Sequence, residues 1–333
     1  MRLLVFLLAV IAVSFCYAHA QAPPVSVVRV DVRLVQVDTQ VINKKTHRAL
    51  TSLRQNDFQV YEDGVQQEIS YFSQDQLPIS IVLLFDLTDS VRPVLKQLAD
   101  GALESLQHLK PEDEVAVMTY SASAQLLQGF TRDHKLAASA IEKAGRRKSY
   151  EAAFFNEAIF QAASELERSA APGYRRVILW LTDDVPNIPT EEIRSQYGRS
   201  VAYGALHTQR DAMAKVSHAG VLICTLLKRS EISEAHDIFH NSAHMAELML
   251  YPPGEVGLYA HETGGEVLES SAKQLQKKLA QLIDDIRLRY TLGYHPSATR
   301  HKGRFCAIKV KLSPDLERTE HSPLIEARRG YYR

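Results

Sequence analysis

The chain changes its hydrophobic rhythm twice. Over residues 28–41 apolar and polar positions alternate. Val28, Val30, Val32 and Leu34 are interleaved with Arg29, Asp31 and Arg33. After Leu34 the phase flips, and Val35, Val37 and Val41 alternate with Gln36, Asp38 and Gln40. A period of two marks a half-buried strand, and a flip by one residue predicts a β-bulge or a break between two short strands. Residues 53–57 predict a short helical or turn segment. Residues 58–61 predict a strand, Glu62-Asp63-Gly64 a tight hairpin turn, and residues 65–72 the return strand.

From residue 78 the pattern becomes strands separated by helices. Ile79, Ile81, Val82, Leu83, Leu84 and Phe85 are almost continuously apolar, as in a strand buried on both faces. Residues 91–109 place Leu95, Leu98, Ala102, Leu103, Leu106 and Leu109 on one helical face. Strands are expected over 114–120 and 124–130, and helices over 133–144 and 152–168. A second apolar strand covers 176–181, and a helical region reaches about residue 216. A third strand covers 221–227, a short helix 255–263, a short strand lies at Val267, and a helix covers 275–288. Strands spaced by helices of this length imply βα crossovers and a mainly parallel sheet covered on both faces.

After Arg289 the strand pattern returns, over 290–294, 305–312 and 325–332. Each β-rich end is too short to make a generous core alone. The two are best explained if they pair with each other. The expected fold class is therefore α/β: a doubly wound, mainly parallel sheet with a second, smaller all-β module formed by both chain ends. Residues 21–77 and 289–333 would be the halves of that module. Residues 78–288 would be the α/β domain, with a polar insertion at 229–252.

Composition narrows the setting. The 333 residues are 45% hydrophobic and 23% charged, and 39 basic side chains balance 39 acidic ones. A zero formal net charge supplies no global field for nucleic acid or anionic lipid. Arg2, the apolar run 3–13 and Ala18-His19-Ala20 predict a secretory signal over residues 1–20, cleaved before Gln21. The competing reading, an uncleaved anchor, is disfavoured because the run is short for a span of about 20 residues. Bulky Phe15 argues against a lipoprotein cysteine at Cys16. The expectation is export to the periplasm or beyond the cell, with no stable membrane span after cleavage. Cys224 and Cys306 lie in apolar strand-like runs and read as two buried thiols, although an exported compartment permits a disulfide.

The chemistry gathers where strands end. The run 79–85 stops on Asp86, Thr88 and Ser90, a carboxylate and two hydroxyls at alternate positions. These are hard oxygen donors of the type Mg²⁺ or Mn²⁺ prefers, placed where ligands collect in open α/β sheets. The second apolar strand also ends in polar residues, Thr182-Asp183-Asp184. His236, His240 and His244, four apart, would share one helical face. Such a face can bind Zn²⁺ or another transition metal, or be simply an exposed His-rich helix. Arg146-Arg147-Lys148 forms a basic loop that either meets an acidic partner or is solvated. Trp180 reads as core. The sequence holds no Gly-rich phosphate loop, G-x-S-x-G or H-E-x-x-H, and no histidine is placed to activate Ser90. An enzyme is not expected.

The ordered motifs resemble a known family. Asp57-Phe58, then Tyr61-Glu62-Asp63-Gly64 and Ile69, precede the D-x-T-x-S of Asp86, Thr88 and Ser90. Leu181-Thr182-Asp183, Glu262-Thr263-Gly264-Gly265, Tyr290-Thr291-Leu292-Gly293-Tyr294 with Pro296, and Ala327-Arg328-Arg329-Gly330-Tyr331-Tyr332 follow. This set resembles the von Willebrand factor type A (VWA) domain, and more closely bacterial secreted VWFA-related proteins of the acidobacterial type. The resemblance implies a metal-ion-dependent adhesion site, MIDAS, in which Asp86, Thr88, Ser90 and Asp183 hold Mg²⁺, with Mn²⁺ or Ca²⁺ as alternatives. It implies non-enzymatic binding of a protein partner that offers an acidic side chain. Two positions depart from the family pattern. Ala153 stands where a threonine normally completes the site, with Ser149 and Glu151 as the nearest loop oxygens, and Asp184 replaces a common glycine. Two other readings stay open: a metal-independent structural or assembly module with a degenerate site, and a metal hydrolase built on His236, His240 and His244.

Overall fold

The computed structural model describes residues 34–46, 48–74, 77–121, 123–147, 154–184, 207–228, 256–270, 274–296, 304–320 and 323–332. Strand β1 (Val35–Asn43) follows the second of the two alternating phases, and β2 (Arg48–Ala49) folds back on it. A 3-10 turn at Gln55–Asp57 leads into β3 (Phe58–Glu62). Asp63 and Gly64, with φ of 47° and 83°, then turn the chain into β4 (Val65–Gln67). Positive φ at both central positions suits a two-residue hairpin. The return strand expected over 65–72 is in fact two strands. β4 pairs with β3, whereas β5 (Ile69–Ser73) starts after Glu68 and belongs to another sheet. One residue off the ladder is enough for the chain to change sheets.

The α/β unit runs β6 (Ile79–Asp86), α1 (Arg92–Ser105), β7 (Glu114–Tyr120), β8 (Ala124–Thr131), α2 (His134–Gly145), α3 (Phe155–Ser169) and β9 (Arg175–Thr182). It continues through α4 (Gln209–Ala219), β10 (Val221–Leu227), α5 (Val256–Thr263), β11 (Val267–Glu269) and α6 (Leu275–Arg287). The six strands lie in the order β11-β10-β9-β6-β7-β8. Every pairing is parallel except β7 with β8. All eight residues of β6 are buried, because helices cover both faces. Leu83 and Phe85 pack with Leu98, Ile141 and Leu282 on one side, while Val82 and Leu84 pack with Ile159, Val216 and Tyr259 on the other. The helix expected over 91–109 is shorter. It ends at Ser105 in a 3-10 turn, Leu106–His108, which brings Leu109 into extended backbone.

The C-terminal strands are β12 (Tyr290–Tyr294), β13 (Phe305–Leu312), β14 (Leu324–Ala327) and β15 (Gly330–Tyr332). β1 lies between β12 and β14, and β13 lies between β3 and β15. Each of these antiparallel sheets therefore combines strands from both ends of the chain, with Val37 opposite Leu292 and Val60 opposite Val310. Their apolar faces close one core around Val37, Phe58, Val60, Tyr290, Leu292 and Leu312. The single strand expected over 325–332 is broken at Arg328-Arg329. Arg328 turns its guanidinium to the Ser217 carbonyl at 3.1 Å, and the Arg329 N–H donates to the Glu262 carbonyl at 3.0 Å. A short helix, α7 (Pro314–Thr319), was not expected. Proline at its first turn supplies a pre-set φ and lacks only an N–H that would have no helical partner.

Several sequence expectations lie outside the described residues. These are the signal segment, the alternation over 28–33, the loop bearing Ser149, Glu151 and Ala153, and the insertion with His236, His240 and His244. No helix among the described residues is long and apolar enough to cross a membrane.

Candidate metal site at the carboxyl edge of the sheet

Strand order reverses at β6. The chain leaves it outward through β7 and β8, then returns to β9 on its other side and continues to β10 and β11. Asp86 at the end of β6 and Asp183 just after β9 therefore lie at the carboxyl edge where strand order reverses, the usual ligand position in such sheets. Asp86, the last residue of β6, is fully buried there, as are Thr88 and Asp183, and Ser90 is only 4% exposed.

Asp86 accepts four hydrogen bonds. Oδ1 receives the Thr88 N–H at 2.9 Å and the Thr88 hydroxyl at 2.8 Å. Oδ2 receives the Tyr120 hydroxyl at 2.7 Å and the Thr182 hydroxyl at 2.7 Å. Thr88 Oγ1 lies 3.1 Å from Ser90 Oγ, so one carboxylate and two hydroxyls form a continuous patch of oxygen. The geometry follows from the sequence locally. Alternate residues leaving a strand share a face, and Asp86 with Thr88 closes an Asx-type turn onto its own backbone. Asp183 comes one residue after Thr182, whose hydroxyl holds Asp86.

Burial raises the Asp86 carboxyl above the ordinary carboxylate range, and its hydrogen bonds from Thr182, Tyr120 and Thr88 oppose that rise. Burial and the neighbouring Asp86 charge push the Tyr120 phenol well above its usual value. All four donors to Asp86 are neutral. Buried carboxylates are costly unless a charge or several donors meet them. Hard oxygens, a buried negative charge and two reorientable hydroxyls fit a small divalent cation. Among the described residues no three His, Cys, Asp or Glu side chains gather at one point. A cation here would therefore depend on hydroxyl and water oxygens.

Beneath the carboxylate lies an aromatic floor. Trp180, fully buried as its strand pattern predicts, donates Nε1–H to the Tyr120 hydroxyl at 2.9 Å. Phe155 packs edge-on to both Tyr120 and Trp180, and Tyr259 edge-on to Trp180. Sequence reasoning missed Tyr120 and Thr182 as partners of Asp86. The available signal was a polar tip at the end of each strand flanking β6. The basic loop is tied down where it is described. Arg147 donates to Gln125 at 2.5 Å, and Arg146 lies 3.4 Å from Glu142 one turn earlier. Cys224 and Cys306 are both buried and both free.

Among solved structures, the chain is similar to BatB from Bacteroides thetaiotaomicron at 15% identity and a TM-score of 0.41, over 62% of this chain and 98% of that one. It is similar to proximal thread matrix protein 1 from the mussel byssus, a structure with a zinc-occupied MIDAS motif. There the identity is 15% and the TM-score 0.43, over 68% of this chain and 49% of that one. Manganese-loaded TRAP protein from Plasmodium vivax matches at 11% identity and a TM-score of 0.41, over 77% and 98% of the two chains. No curated protein matches the chain at a significant level. Residues 81–185 match the von Willebrand factor type A domain family. That segment begins inside β6 and ends just past Asp183, so it holds Asp86, Thr88, Ser90 and Asp183, and residues 81–185 are a von Willebrand factor type A domain.

Proposed function

We propose that this is an exported, non-enzymatic binding protein, periplasmic or extracellular, that captures a protein partner through a divalent cation at the carboxyl edge of the sheet. Asp86, Thr88 and Ser90 hold the cation, and Asp183 assists directly or through water. When bound, the cation supplies a Lewis-acidic position for an Asp or Glu side chain of the partner. The observation that carries this reading is the fully buried Asp86, met by four neutral donors beside the Thr88 and Ser90 hydroxyls. Mg²⁺ favours such a site because it takes oxygen ligands in a near-octahedral shell and keeps several waters.

A thermal-shift titration of residues 21–333 with Mg²⁺ and Mn²⁺ tests it, beside Asp86→Ala and the milder Ser90→Ala. An ion that binds the native state raises its apparent stability by mass action. The expected result is a saturable rise in the wild type that Asp86→Ala loses and Ser90→Ala weakens, each judged against its own ion-free baseline. A flat response to several millimolar ion favours the second reading, a metal-independent structural module. The observation behind that alternative is that Asp86 already has two donors on each oxygen.

A further inference from the structure

The outer face of the sheet around β13 carries aromatic and cationic side chains that the cation site does not use. β13 buries every second residue from Cys306 to Leu312 and turns Phe305, Ala307, Lys309 and Lys311 outward. Opposite residues of paired strands share a face, so Tyr332 and Gly330 of β15 and Tyr61 and Gln59 of β3 join them. At one end Phe305 is 39% exposed and lies edge-on to Tyr332, with ring centroids 5.2 Å apart. A Cβ at Gly330 would run into the Phe305 ring, so the ring leans across the glycine and is held there. At the other end Lys309 is exposed, and Lys311 places Nζ 5.1 Å from the centre of the Tyr61 ring. The Tyr61 hydroxyl donates to Gln59 at 3.0 Å, which fixes the ring under its lysine. Neither lysine has an ion pair among the described residues. Between the two ends the side chains are small, and Asp63 accepts the Ala307 N–H at 2.8 Å.

We propose that this face binds an acidic polysaccharide whose charged sugars are separated by neutral ones. The leaning Phe305 ring offers its flat side to the C–H face of a sugar ring. Lys309 and Lys311 offer cations to a uronate carboxylate, and the Asp63 carboxylate offers oxygens to sugar hydroxyls. Phe305 and Lys309 are four residues apart on one strand, about 13 Å, so the occupant is an extended chain of several rings. Aromatics already held in place lose little freedom on binding. Other polymers fit less well. Peptides dock on sheet edges or in grooves, and this is the flat of a sheet whose strands are paired on both sides at β13. Single-stranded nucleic acid stacks successive bases along a basic groove, whereas here a carboxylate stands between the exposed aromatic pair and the lysines. The proposal is independent of the cation site and stands or falls without it.

The test is calorimetric titration of residues 21–333 with hyaluronan oligosaccharides, in which uronates alternate with neutral sugars. EDTA is present throughout, so the cation site contributes nothing. Hydroxyethyl cellulose serves as the neutral polysaccharide and oligothymidylate as the nucleic acid. Phe305→Leu keeps an apolar cover over Gly330 and removes the ring. Lys309→Gln removes one exposed charge, and melting temperatures equal to wild type show that both variants are folded. The wild type is expected to bind hyaluronan in preference to both comparators, with an affinity that falls as salt rises. Each variant should weaken that binding by about tenfold. A wild type that does not bind hyaluronan overturns the proposal, as does one that binds hydroxyethyl cellulose or oligothymidylate equally well. Folded variants that bind hyaluronan like the wild type also overturn it, because the glycan would then sit elsewhere.

Discussion

Tyr294 donates its hydroxyl to Glu62 Oε2 at 2.7 Å, joining residues 232 positions apart. Tyr331 donates to the same oxygen at 3.0 Å. Glu62 is fully buried, and it precedes the Asp63-Gly64 turn, so three separate motifs of the sequence meet at one carboxylate. Hydrogen bonds to a buried charge are stronger than neutral ones, and an abandoned buried partner is costly. Tyr294→Phe should cost about 1–3 kcal/mol, and Glu62→Ala about 3 kcal/mol or more because it strands two hydroxyls. Equilibrium urea unfolding checks this. Variants indistinguishable from wild type would mean that the two chain ends are held by apolar packing alone.

Gly264 makes the contact between α5 and the C-terminal arm. Its φ is +77°, and a Cβ added there would lie 2.4 Å from the Ala327 carbonyl carbon and 2.6 Å from the Arg328 nitrogen. Both neighbours are backbone, so neither can swing aside. Gly264→Ala should destabilise by about 2–4 kcal/mol or block folding, since strain and clash act together. Gly257, inside α5, has nothing within 4 Å of an added Cβ. Gly257→Ala should be neutral or stabilise by up to about 1 kcal/mol. Melting temperatures of the pair separate the two cases, and a Gly264→Ala protein that melts with wild type would overturn the packing argument.

The same contrast explains how much of the molecule was legible beforehand. Asp86, Thr88 and Ser90 were visible as a site because their spacing is local and follows a buried strand. Tyr120 and Thr182, equally close to the carboxylate, lie 34 and 96 positions away from it. Their role appears only when β7 and β9 flank β6. The period-two pattern located β1, because alternation reports burial of one face, and short strand-like runs located β3, β12 and β13. The same patterns did not show that 65–72 and 325–332 each break between sheets. Glu68 and Arg328-Arg329 leave their ladders for tertiary reasons, and hydropathy does not carry those.

Cys224 lies in the middle of β10 and is fully buried, and burial pushes its thiol up to about 11. Cys306 on β13 is also fully buried. Thiol reagents attack the thiolate, which needs both exposure and ionisation. Native residues 21–333 should therefore resist a disulfide reagent at pH 8, and both thiols should react in denaturant. A melting temperature unchanged by reductant completes the test. Rapid labelling of two thiols in the native state would contradict the buried placement.

Glu326 on β14 makes stability depend on pH. Burial pushes its carboxyl up to about 7, the Arg289 charge opposes the rise, and the Glu266 and Asp285 charges add to it. The Arg289 guanidinium lies 3.7 Å from Glu326 and also donates to the Gly264 carbonyl at 2.7 Å. An acid whose folded pKa exceeds its unfolded value of 4.5 binds more protons when folded. Its contribution is therefore fully favourable at low pH and declines as pH rises from about 4.5 through about 7. Glu266 and Asp285 are raised as well, first by burial, so they act in the same direction. Glu326→Gln should remove about 1–3 kcal/mol of that decline, because the amide stays neutral throughout. Melting curves of both proteins at pH 5, 6, 7 and 8 decide the matter. Wild type should lose stability across the series relative to Glu326→Gln, and parallel curves would show that Arg289 holds Glu326 ionised in the folded protein.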